Sequence, residues 1–241
     1  MPRFFLNEEA VNGDIITVRS EDAVHIGRSL RMKPGERITF CRQGMDYESV
    51  IEKITSDEVI CRVESCTASE SEAALNLTIY QALPKGDKAE LIVQKCTELG
   101  ASGITFFISS RCVSRPDGKS GEKKTARLQK IAEEAAKQSG RGKIPEIRGI
   151  MSFEEAVNEL CKNEIPLICY ENGGDKLSGI SFDHCRSCGV MIGAEGGFDR
   201  AEAEEAQSSG ATAIWLGKRI LRCETCPIAV TAVIMNLSGN F

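Results

Sequence analysis

From Leu75 to Leu237 the sequence alternates between continuous apolar runs and stretches of helical spacing, and few folds accommodate that alternation. Leu75–Leu83, Gly103–Ile108, Pro166–Tyr170, Gly189–Gly193 and Ala211–Leu216 are apolar or β-rich along their length, as strands buried on both faces must be. Between them, Asp87–Leu99 carries apolar residues at positions 89, 92, 93, 96 and 99, and Gly100 stops it. A long helix is predicted over about Lys123–Ser139, with Leu128, Ile131, Ala132 and Ala135 on one face and Gly140 at its end. Ser152-x-x-Glu155 and Asp199-x-x-Glu202 are capping boxes that open two further helices. Pro227–Leu237 reads as the last helix. Strands and helices in this order predict an α/β domain over residues 74–241, its parallel sheet covered on both faces.

Residues 1–70 follow a different pattern. Asp14–Val18, Glu36–Arg42, Asp46–Ile54 and Glu58–Glu64 alternate or are β-branched, and Gly13-Asp14, Pro34-Gly35 and Ser56-Asp57 punctuate them. Asp22–Met32 reads as one short helix with a basic side formed by His25, Arg28 and Arg31. Short strands around one helix predict a small β-barrel, joined to the second domain by the polar stretch Thr67–Ala73.

The net charge of −5 argues against indiscriminate nucleic-acid binding, but it is unevenly spread. Residues 1–72 sum to −5, residues 73–148 to +6 and residues 149–241 to −6. No apolar run approaches the roughly 18–20 residues of a membrane span. The first residues turn acidic too soon for a signal peptide, so a cytoplasmic location is expected. Eleven cysteines are then expected as free thiols. Cys185-x-x-Cys188 and Cys223-x-x-Cys226 invite a zinc reading, but four converging ligands are needed. Most of the other cysteines sit at apolar positions of periodic segments, so core packing is the better reading and no metal is expected.

In an open α/β sheet, ligands bind beyond the carboxyl ends of the strands. Three such ends are glycine-bearing: Tyr170-Glu171-Asn172-Gly173-Gly174, Gly193-Ala194-Glu195-Gly196-Gly197-Phe198, and Leu216-Gly217 running on to Cys223-Glu224-Thr225. Glycine there lets backbone groups approach a planar ligand, although each loop alone could be no more than a tight turn. A dinucleotide site is not indicated, because no Gly-x-Gly-x-x-Gly follows an early strand. Trp215, in an apolar strand, is expected in the core.

The order Ile192-Gly-Ala-Glu-Gly-Gly-Phe198, then Leu216-Gly-Lys-Arg-Ile-Leu-Arg-Cys-Glu-Thr225, resembles the C-terminal half of the RsmE-type 16S rRNA uridine-N3 methyltransferases of the SPOUT superfamily. Arg3-Phe4-Phe5 and His25–Arg31 are similar to that family's N-terminal RNA-binding motifs, and Gln94–Gly100, Ser110-Arg111-Cys112 and Gln138–Arg141 to its central ones. Ala194 stands where the family usually has proline, which would leave this loop somewhat looser.

The resemblance implies a SPOUT-type parallel sheet with a C-terminal deep trefoil knot, preceded by a PUA-like RNA-binding barrel. It implies S-adenosylmethionine (SAM) as cofactor, bound by Tyr170, Glu171, Ile192, Gly193, Glu195, Gly196, Gly197, Leu216, Gly217, Ile220, Leu221 and Arg222. It implies a homodimer acting on 16S rRNA. For the chemistry, Glu98 and Glu224 are candidates to accept the uridine N3 proton, and Arg219 and Arg222 to stabilise charge on the uracil oxygens. Arg3, His25, Arg28, Arg31, Arg111, Arg115 and Arg141 are the expected RNA contacts. An acidic chain should hold bare RNA weakly, so the assembled small subunit is the expected substrate. A non-catalytic RNA-binding protein and a ribose 2′-O-methyltransferase stay open as alternatives.

Overall fold

The strands expected near the N-terminus form a single curled sheet. The computed structural model describes residues 2–6 and 10–241. One unit comprises Met1–Glu72 with Ala136–Lys143, the other Ala73–Ala135 with Ile144–Phe241. In the first unit, β1 (Arg3–Phe5), β2 (Val11–Asn12), β3 (Ile15–Arg19), β4 (Arg37–Arg42), β5 (Met45–Ile54) and β6 (Glu58–Ala68) are ordered β1-β4-β5-β6-β3-β2. β1 runs parallel to β4, and every other pairing is antiparallel. Register shifts in the long β5–β6 ladder, at Glu48/Ser49 and Ile51/Lys53, let the sheet curl around Phe4, Ile16, Ile38, Phe40 and Val59 as a half-barrel.

The helix expected over Asp22–Met32 is instead α1 (Ser20–Val24) followed by a π turn at His25–Ser29. The extra residue per turn rotates the exposed His25 and Arg28 relative to a regular helix. Arg31 then ends the segment in the left-handed region, with φ +54°. The segment Ala136–Lys143, from the basic middle of the chain, also belongs to this unit.

The second unit is built on a wholly parallel seven-stranded sheet. Its strands are β7 (Asn76–Ala82), β8 (Gly103–Ile108), β9 (Glu146–Ser152), β10 (Ile165–Cys169), β11 (Asp175–Lys176), β12 (Ser187–Ile192) and β13 (Thr212–Trp215), in the order β11-β13-β10-β12-β7-β8-β9. The helices are α2 (Lys88–Glu98), α3 (Gly118–Ser139, of which the residues from Ala136 belong to the first unit), α4 (Phe153–Leu160), α5 (Arg200–Ser208) and α6 (Thr225–Leu237). Both predicted capping boxes form, at Ser152/Glu155 and Asp199/Glu202. α3 begins five residues before its expected start at Lys123, because the Asp117 side chain accepts from the Ser120 N–H at 2.9 Å across the glycine-bearing first turn. Strand β9 has no apolar signal: as an edge strand it buries only Ile147.

The strand order positions the site. β10 lies between β12 and β13 with Ile168 level with both Met191 and Ala213, so the three strands end together. The loops that follow Cys169, Ile192 and Trp215 therefore emerge side by side, although they are far apart in sequence. Gln81 pairs with Ile192 in the adjacent ladder, which brings the turn after β7 to the same edge.

Candidate active site

The three glycine-bearing loops enclose one cavity of about 580 Å³. Tyr170, Glu171, Ile192, Gly193, Glu195, Gly196, Gly197, Leu216, Gly217, Ile220, Leu221 and Arg222 all line it, and so does Arg219. Lys88, Cys169, Trp215, Lys218, Cys223 and Cys226 complete most of the rest of the wall. Trp215 is thus half-buried at the cavity rather than sealed in the core, because its strand ends where the site opens.

The middle loop is held at both ends. At its start, the buried Gln81 amide donates to the Gly193 carbonyl at 3.0 Å. At its end, Phe198 stacks on Phe107 with ring centroids 6.3 Å apart and packs on Phe153 at the same distance. Between these anchors the Gly197 N–H closes a turn onto the Ala194 carbonyl at 3.0 Å. A Cβ at Gly193 would lie 2.8 Å from Gly197 backbone atoms, and Gly197 itself has φ +65°, so neither tolerates a side chain. Ala194 is buried in this turn.

The Ser110-Arg111-Cys112 motif braces the same loop from outside. The Ser110 N–H donates to Glu202 at 2.6 Å and its hydroxyl to Asp199 at 2.8 Å, so it joins the capping box of α5. The Arg111 guanidinium donates to the Gly196 carbonyl at 2.6 Å. Arg115 turns inward onto its own loop, donating to the carbonyls of Ser109, Ser110 and Cys112. Both arginines are expected RNA contacts; both are exposed, and each is also tied to main-chain carbonyls.

At the rim stands a charged cluster centred on Lys88, a residue that no sequence signal marked, between the two candidate residues Glu195 and Glu224. Lys88 Nζ lies 2.9 Å from Glu195 Oε1, 3.4 Å from Glu224 Oε2 and 3.6 Å from Cys223 Sγ. The bond to Glu195 pushes the Lys88 pKa up. Burial works against charge on Glu195, but the Lys88 ammonium together with the backbone N–H groups of Glu195 and Lys85 outweighs it and holds the carboxyl below its usual range. Glu224 is held low by its own backbone N–H, then by Cys223 and Lys88. Burial and the neighbouring Glu224 push the Cys223 thiol up to about 12, so it is a protonated donor to that carboxylate at neutral pH. Among the described residues no group of three His, Cys, Asp or Glu side chains is arranged to hold a metal ion.

Other candidate residues are placed elsewhere. Glu98 is the last residue of α2, and both its oxygens accept from Lys95 at 2.8 Å; it does not line the cavity. In the first unit Arg3 forks onto Asp46 at 3.0 and 2.7 Å and donates to the Arg141 carbonyl. Arg141 is 3% exposed and pairs with Glu72 at 2.8 Å. These two guanidiniums are spent on carboxylates inside the unit, where removing either would leave a charge unpaired. Arg28 and Arg31 are exposed, as is His25, whose ring stands edge-on to Phe4 at 5.7 Å.

A parallel sheet with a glycine-walled cavity at its carboxyl edge suits a nucleotide-like ligand, and comparison with known proteins defines the class. The family model for the RNA methyltransferase domain matches residues 71–235. A ribosomal RNA small subunit methyltransferase E from Bacillus subtilis (strain 168) is 32% identical over 245 residues, covering 97% of this chain and 96% of that one. A ribosomal RNA small subunit methyltransferase E from Neisseria gonorrhoeae, solved bound to S-adenosyl methionine, superposes with a TM-score of 0.86 at 31% identity and covers 98% of both chains. A Legionella pneumophila protein solved in complex with the bound cofactor SAM gives the same TM-score at 29% identity, covering 98% and 97%. The chain belongs to the ribosomal RNA small subunit methyltransferase E family.

Proposed function

We propose that this protein is a SAM-dependent methyltransferase that modifies N3 of one uridine in 16S rRNA. The observation that carries the reading is the cavity at the strand ends, walled by three loops, in the middle one of which Gly193 and Gly197 leave no room for side chains. Its volume of about 580 Å³ is within the usual range for a ligand of this size, roughly 300–1,000 Å³. Main-chain groups of Gly193, Gly196, Gly197 and Gly217 would hold the adenosine, with Ile220 and Leu221 against its apolar faces. Bound there, SAM supplies an electrophilic methyl group.

The chain's own task is to favour loss of the weakly acidic N3 proton. Glu224 is poorly suited to accept it, since three donors hold its carboxyl below the usual range and weaken it as a base. Arg219 and Arg222 are exposed at the cavity and would stabilise negative charge developing on the uracil carbonyl oxygens. Arg28, Arg31 and His25 of the first unit supply RNA contacts, in preference to the internally paired Arg3 and Arg141.

The trefoil knot belongs to this proposal. It is supported by the path from β13, beyond β10 and β12, to α6, which packs on α2 and β7. A homodimer is supported by Leu91 of α2 and Val233 and Leu237 of α6, large apolar side chains left exposed on helices that pack together. Among the described residues no helix is long and apolar enough to cross a membrane. We assign the protein to the cytoplasm, where its substrate would be. The test is to map the methylated nucleotide in rRNA from cells with and without the protein, and to compare naked 16S rRNA with small subunits in vitro. Loss of one N3-methyluridine, with faster transfer on subunits, is expected. A missing 2′-O-methyl group instead, or equal rates on both substrates, would overturn the respective part.

A further inference from the structure

We infer that Lys88 is a positioning residue for the cofactor, a latch that sets the gap between the middle and last loops. Two of the three cavity loops send a carboxylate to the same ammonium, Glu195 at 2.9 Å and Glu224 at 3.4 Å. The position is an unfavourable one for a lysine. Lys88 is the first residue of α2, where the helix dipole presents partial positive charge, and Asp87 provides no side-chain cap. Glu195 offsets the unfavourable charge, and its Oε1 also accepts the Lys85 N–H at 3.1 Å on the approach to the helix. A cation held against the local field by two carboxylates from distant loops has a geometric consequence. Without it, Glu195 and Glu224 become two unshielded like charges on facing loops and repel. With it, they are drawn to a single point fixed on a helix of the scaffold.

Lys88 and Glu195 line the cavity wall, while Glu224 lies just beyond Cys223 at the start of α6. The effect of the latch should therefore be on cofactor affinity through loop spacing, with little on the methyl-transfer step itself. A purely electrostatic role would act in the opposite direction. SAM carries a sulfonium charge, so two uncompensated carboxylates would attract it; S-adenosylhomocysteine lacks that charge. A latch lost through geometry weakens both ligands alike.

This rests on the cavity being the SAM site, which calorimetry on the unmodified protein tests independently. Lys88→Met and Lys88→Arg proteins are then titrated with SAM and with S-adenosylhomocysteine. The expected result is about tenfold weaker binding of both ligands to Lys88→Met, a typical coupling for groups sharing one network. Affinity should return in Lys88→Arg, and kcat at saturating SAM should stay close to that of the unmodified enzyme. Unchanged affinity, tighter SAM binding, or a fall in kcat alone would each overturn the inference. If Lys88→Met does not fold, the Glu195→Gln/Glu224→Gln protein replaces it; removing both acceptors should weaken the two ligands equally, and unaltered binding would refute the latch.

Discussion

Gly193→Ala is the most direct perturbation of the cavity, and its effect can be worked from distances. The added Cβ would sit 2.8 Å from the Cα and carbonyl carbon of Gly197, whereas ordinary contact begins at 3.4 Å. The two backbone segments must therefore part by about 0.6 Å, the difference between these values. Neither can yield easily. Gly193 is tied to Gln81 by its carbonyl, and Gly197 is tied to Ala194 and followed directly by the buried Phe198. Overpacking of this kind costs about 1–3 kcal/mol. Because the strain falls within the cavity wall, the same amount should appear in ligand affinity, a loss of roughly tenfold to hundredfold. Calorimetric titration with SAM measures the affinity, and denaturant unfolding measures the stability. Gly149→Ala is the control: its Cβ would meet nothing within 4 Å, so SAM affinity should be unchanged and stability should not fall, rising by at most about 1 kcal/mol. A Gly193→Ala protein that binds SAM as tightly as the unmodified one would refute the claim that this backbone contact shapes the site.

Arg111→Ala removes the 2.6 Å bond to the Gly196 carbonyl and should raise KM for SAM several-fold while leaving KM for the small subunit nearly unchanged. The opposite split would return Arg111 to RNA contact. Replacing Arg28 and Arg31 with Gln should weaken subunit binding without altering SAM affinity, and should lower the salt slope by about 0.7–0.9 per lost phosphate contact; an unchanged slope would exclude them. Glu224→Gln should cost stability above the ordinary carboxylate range, because its folded pKa is depressed and its stabilising effect is lost as pH falls through that folded value. The difference from the unmodified protein, followed by denaturant unfolding from neutral pH downward, should shrink in acid, and a difference that grew there would contradict the assignment. Ala194→Pro should stabilise the protein by about 0.4–1 kcal/mol if the turn already holds a compatible φ; a large loss would mean that it does not.

Much of the architecture could be read from residue patterns because it depends on local chemistry. The apolar runs at Leu75, Gly103, Pro166 and Gly189 became parallel strands, since only a doubly covered sheet buries both faces of such runs. The two capping boxes announced their helices because each is a reciprocal bond within four residues. Glycine at three strand ends pointed to a ligand edge, and motif order along the chain pointed to the family. Among the elements that escaped notice, β9 is a polar edge strand, the π turn at His25 has no pattern of its own, and the first turn of α3 has a cap at Asp117 but no apolar stripe.

The partners of charged side chains were decided by tertiary structure alone. Arg3, Arg111, Arg115 and Arg141 look alike in sequence, as cations expected to meet RNA. Their guanidiniums end on Asp46, on the Gly196 carbonyl, on a loop's own carbonyls and on Glu72. Lys88 carried no sequence signal at all, because Glu195 and Glu224 reach it from 107 and 136 residues away. Hydrophobic periodicity is a property of neighbouring residues and survives in one dimension. Charge pairing depends on distance in space, and only the ordering of β7, β10, β12 and β13 brings those residues within reach.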